Sequence, residues 1–157
     1  MKRGLCAVAA LALTVGLAGT ACGKPESGST ATSASGSAST SAAPVAADKL
    51  PGLVPTPANT GDTKGPDSIA DNGIHLKFEV NAAPTDAMTA FKAALTDKGW
   101  AVTTIVTSGG PGGGGATYTG TNGGAYGVFD GGGFNTTTYI NVCVWPTKPA
   151  DPNCTRS

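Results

Sequence analysis

The chain has 157 residues, ten basic and ten acidic, for a formal net charge of zero; only 13% of residues are charged, beside 24 glycines and 11 prolines. Beyond Arg3 its Lys and Arg residues are scattered singly between Lys24 and Arg156, so no clustered basic surface exists to neutralise a phosphate backbone, and nucleic acid is excluded as a partner. The length allows one modest domain rather than several.

Lys2 and Arg3 form a positive n-region, and residues 5–18 form an apolar run of about 14 residues, too short to span a bilayer as a helix. Gly19, Thr20 and Ala21 then lead into Cys22. Residues 1–21 therefore read as an export signal, and its removal leaves eight basic and ten acidic residues, a net charge of about −2.

The segment Leu17-Ala18-Gly19-Thr20-Ala21-Cys22 resembles the lipobox of bacterial lipoprotein precursors. The resemblance implies that Cys22 is diacylated, freed at its amino end by a dedicated peptidase, and becomes the first residue. The chain is then held by an N-terminal lipid on the extracytoplasmic side of the cell membrane, or partly released from it. Gly19-Thr20-Ala21 equally satisfies the small-x-small pattern of an ordinary signal peptidase, which would release a soluble chain, and the residues leave the choice of peptidase open.

Residues 22–66 read as a disordered linker. From Gly23 to Lys49 the composition is almost entirely Ser, Thr, Ala, Gly and Pro, with Val45 as the one sizeable apolar residue, too little to offset the entropy of ordering. Pro51, Pro55, Pro57 and Pro66 extend the irregular region, although Leu50, Leu53 and Val54 can dock on the domain as a short extended arm. A leash of about 40 such residues has an r.m.s. span of about 35 Å. Its Ala/Gly/Thr-rich bias resembles the linkers of exported actinobacterial lipoproteins, which implies O-glycosylation as an alternative to an unmodified spacer.

The folded domain is expected over residues 67–157. Residues 74–80 alternate apolar and polar without a break, the period of a half-buried strand: Ile74, Leu76, Phe78 and Val80 face a core, while His75, Lys77 and Glu79 do not. Ala87, Met88, Phe91, Ala94 and Leu95 form a one-sided stripe at helical spacing. Pro84 and Asp86 suit its first turn, Lys98 its last, and Gly99 its left-handed cap.

Residues 100–107, rich in Val, Thr and Ile, predict a second strand, ended by the glycine run at 109–115. Shorter strands over 116–120 and 125–130 are joined by Thr121-Asn122-Gly123-Gly124, a hairpin signal. The last strand, 136–145, places Ile140, Val142 and Val144 on one face and Tyr139, Asn141, Cys143 and Trp145 on the other. The order β-α-β-β-β-β predicts an α+β domain, one helix covering one face of a largely antiparallel sheet of four to five strands.

The sequence has four cysteines. Cys6 leaves with the signal, and acylation of Cys22 leaves Cys143 and Cys154 to pair; without acylation an exported chain keeps an odd thiol. A Cys143–Cys154 bridge would pin the Pro-rich tail to the sheet and contribute about 2–3 kcal/mol. No metal is expected, since His75 is the one histidine and no second Cys pair exists.

No cofactor is expected either. Gly110-Pro111-Gly112-Gly113-Gly114-Gly115 satisfies G-x-G-x-x-G in form, but it leads into strand-like residues instead of the helix N-terminus that holds pyrophosphate. There is no G-x-S-x-G and no H-E-x-x-H. His75 is expected as a solvated surface residue, and Asp130 as a turn-former at a strand end.

What remains is the sheet face away from the helix. His75, Lys77, Glu79, Thr103, Tyr139, Asn141 and Trp145 are placed there by alternation, with Tyr118 as a further candidate. Aromatic rings among polar groups suit an envelope glycan, a lipid headgroup or a protein partner, unless the arm or tail covers them. The expectation is a non-catalytic, membrane-anchored envelope lipoprotein with a small binding domain. Its competitors are a cell-wall enzyme or accessory and a structural surface antigen.

Overall fold

The alternating residues around Phe78 fold as strand β2 (Gly73–Val80) in the computed structural model, which describes residues 43–154. The signal segment, Cys22 and the linker through residue 42 lie outside the described residues. Ile74, Leu76, Phe78 and Val80 are all buried, as the alternation requires. The apolar stripe folds as helix α2 (Pro84–Asp97), which buries Ala87, Met88, Phe91 and Leu95. Pro84 occupies its first turn. Gly99 takes φ 92°, and the amides of Gly99 and Trp100 bond the carbonyls of Thr96 (2.9 Å) and Leu95 (3.0 Å), the paired bonds of a glycine-terminated helix end.

Four strands follow: β3 (Ala101–Gly110), β4 (Gly113–Asn122), β5 (Ala125–Phe134) and β6 (Thr137–Trp145). The glycine run does not end the second strand. Pro111-Gly112, with Gly112 at φ 74°, makes a tight turn, and glycines on either side continue as paired strand. The β4–β5 turn is Gly123-Gly124 with φ of 56° and 100°, the positive-φ pair that a two-residue hairpin needs.

A sixth strand, β1 (Thr60–Ile69), precedes β2 and pairs with it across the turn Asp71-Asn72, whose φ values are 58° and 56°. The sheet thus has six strands instead of four to five, and regular structure begins before residue 67. All pairings are antiparallel, in the order β1-β2-β6-β5-β4-β3. The fold is α+β, with one main helix packed on one sheet face.

The core lies between α2 and the sheet. Phe129 is its centre, with its ring edge-on to Trp100 at 5.0 Å and to Phe91 at 6.0 Å. A Cβ on Gly131 would overlap the sulfur of Met88, so the bare backbone there admits the helix. The arm ahead of β1 is helical rather than extended: a 3₁₀ turn (Ala47–Lys49) runs into α1 (Leu50–Leu53). Leu50 is fully buried, and the Trp100 indole Nε1 donates to the Leu53 carbonyl at 2.8 Å.

Candidate binding face

Register fixes which side chains share the face opposite α2. Across β1, β2, β6, β5 and β4 one row runs Lys64, Lys77, Asn141, Asp130, Thr117; the next runs Asp62, Glu79, Tyr139, Gly132, Gly115. A third row sets Asp67, His75, Cys143, Val128 and Thr119 side by side. The structure therefore brings His75, Lys77, Tyr139, Asn141 and Trp145 to one face, as alternation predicts.

Tyr118 does not join them. It pairs with Thr104 and Phe129 on the helix side, is buried, and donates its hydroxyl to the Met88 carbonyl at 3.3 Å. Burial in the core raises its phenol above the ordinary value of 10.0. The Lys92 ammonium lies 5.6 Å from its ring and bonds Thr104 Oγ1 at 2.9 Å.

The face is divided. Over one half the chain after β6 folds back and is stapled by the Cys143–Cys154 disulfide. Trp145 is buried there, its Nε1 donating to the Ala70 carbonyl at 3.1 Å and its ring 6.4 Å from that of Tyr126. Lys148 sits 5.2 Å from the Tyr126 ring. A cavity of about 370 Å³ remains beneath the tail, lined by Ile69, Asp71, His75, Cys143, Trp145 and Asp151.

His75 is not the solvated residue expected: it is 8% exposed and bonds through Nε2 to Asn141 Oδ1 at 3.2 Å. Asp67 of β1 and Cys143 of β6 flank it in the sheet, and the disulfide lies beside it. His75, Cys143 and Cys154 bring ligand atoms within 4.8 Å of one another. The two sulfurs are bonded to each other, however, and provide no thiolate, so the cluster is a disulfide beside an imidazole.

The other half is open. Tyr139 is 45% exposed, with the Lys77 ammonium 5.9 Å from its ring. On one side lies a depression of about 230 Å³ lined by Asp62, Lys64, Lys77, Glu79 and Tyr139. On the other lies one of about 270 Å³, floored by glycines including Gly115 and Gly132 and edged by Val106, Ser108, Thr117 and Asp130. Asp130 is not at a strand end but within β5, where it accepts a 2.6 Å hydrogen bond from Thr117 Oγ1.

Asn141 is 4% exposed and lies at the boundary of the two halves. Outside the sequence expectations lie the Asp130–Thr117 pair, the glycine floor, Asp62 and Lys64 of β1, and Phe134, which is 64% exposed. On β4, Thr117 alternates with the buried Ala116 and Tyr118, a signal that could have placed it on this face; Asp62 and Lys64 of β1 alternate with no apolar residue, so nothing in its composition points to them.

Comparison of the chain with known family models, curated proteins and solved structures finds no match. Among the described residues no helix is long and apolar enough to cross a membrane.

Proposed function

We propose that this protein is an exported, lipid-anchored and non-catalytic interaction module of a bacterial envelope, and that the open half of its sheet binds a hydroxyl-rich glycan. The observation that carries the binding part is the exposed Tyr139 ring standing between two polar depressions. A flat ring supports the apolar face of a sugar, while Lys77, Glu79, Asp130 and Thr117 provide donors and acceptors for hydroxyls on both sides. The glycine floor lets a chain of rings approach the backbone closely. A bare lipid tail would find little apolar surface here.

The anchor rests on Cys22 and the lipobox resemblance. Burial of Trp145 and Tyr118 favours a second reading, a structural surface protein without a ligand, because two of the three aromatics expected on an open face are spent on packing. The two readings separate in a binding assay with soluble fragments of envelope glycan. Saturable binding that is lost in Tyr139→Ala with the fold intact supports the module; no binding by the parent protein leaves the structural reading. For the anchor, Cys22→Ser should move the protein from the membrane fraction to the soluble one, and unchanged partition would refute lipidation.

A further inference from the structure

The two edges of the sheet are built differently. At one edge, β1 carries Asp62, Lys64, Pro66 and Asp67, and its pairing with β2 slips register twice. Charges, proline and bulges are the devices that stop an edge from recruiting another strand. At the other edge, β3 reads Ala-Val-Thr-Thr-Ile-Val-Thr-Ser-Gly-Gly over ten residues, with no charge and no proline. All of it is exposed except Val102, which is half-buried. Ile105 and Val106 are 59% and 53% exposed, large apolar side chains at its centre.

A strand with one partner turns alternate N–H and C=O groups outward. Among the described residues no strand lies beyond β3 in the sheet, and β-branched residues fill its middle, the composition that pairs most readily. Of those devices β3 has one, a register shift between Thr104 and Val106 that lodges Ile105 as an extra residue; from Val106 to Gly110 its ladder runs without a break.

We propose that β3 is a self-association edge, on which a second copy of this chain lays its own β3 antiparallel about a twofold axis near Ile105 and Val106. An uncharged strand meets its own copy without like-charge conflict. The twofold sets the exposed Ile105 and Val106 of one copy against those of the other, so each covers the apolar surface the other leaves bare. The two sheets then run on as one of twelve strands. The reverse edge cannot do the same: a β1 pair would bring its charged, proline-interrupted strands together. The contact is small and belongs with transient rather than obligate interfaces.

The test uses the full chain in the producing cell, with a single added cysteine as the probe. Val106→Cys should form an intermolecular disulfide on mild oxidation, giving a dimer band on a non-reducing gel. Ser68→Cys on β1, the control, should not. Adding Ile105→Lys to Val106→Cys places two like charges at the axis and should abolish the dimer, while thermal unfolding stays that of the parent because Ile105 is exposed. Equal crosslinking from both edges would overturn the proposal. So would a dimer that survives Ile105→Lys, or crosslinking of Val106→Cys mainly to other proteins.

Discussion

His75 on β2 donates through Nε2 to Oδ1 of Asn141 on β6 at 3.2 Å, and this bond lies where the sheet face changes from covered to open. On one side are the disulfide, Trp145 and the tail; on the other are Lys77, Asp130 and Tyr139. Both partners are buried. Asn141→Ala strands the imidazole and should lower unfolding stability by about 1–3 kcal/mol, measured by urea denaturation. A change near zero would mean that His75 finds another partner.

The staple sets the covered half. Cys143 and Cys154 are 11 residues apart, a loop whose closure is worth about 3 kcal/mol. The Cys143→Ser, Cys154→Ser double variant should therefore unfold at markedly lower denaturant. Tryptophan emission should also shift as the tail releases Trp145.

The folded unit extends further toward the N-terminus than residue 67. Leu50 is fully buried, and Leu50→Ala should cost about 2–5 kcal/mol in thermal or chemical unfolding. An unchanged midpoint would show that α1 docks without contributing.

Tyr118 gives the domain an alkaline limit. Below the ordinary phenol value of 10.0 the group is neutral both folded and unfolded. As pH rises past that value the unfolded chain ionises first, because burial raises the folded group. Stability contributed by the neutral phenol is therefore present below the unfolded value and lost as pH climbs through the folded one. Tyr118→Phe should flatten the fall in stability above about pH 10, while losing about 1 kcal/mol at neutral pH with the bond to Met88. Parallel pH profiles for the two proteins would refute the assignment.

Where one face of an element is apolar, the sequence reveals it. The alternation at Ile74, Leu76, Phe78 and Val80 and the stripe from Ala87 to Leu95 each matched the buried side of the element observed. β1 carries no such signal, because an edge strand exposed on both faces has no apolar period, and Gly65-Pro66 within it mimics a loop. The glycines of 109–115 misled for a related reason. Glycine is a poor strand former in isolation, but ladder bonds on both sides of β4 hold it there. For the candidate site, alternation assigned His75 and Trp145 to the correct face. Their burial depends on β1 and the tail, elements whose positions are long-range facts.

The central claim is that the open half of the sheet binds a glycan around Tyr139. The most direct measurement is amide chemical-shift mapping of the protein as soluble envelope-glycan fragments are titrated in. The account predicts saturable shifts confined to Lys77, Glu79, Thr117, Asp130, Gly132 and Tyr139, with His75 and Trp145 unmoved. Shifts absent at saturating fragment, or centred on the covered half around Trp145, would contradict it.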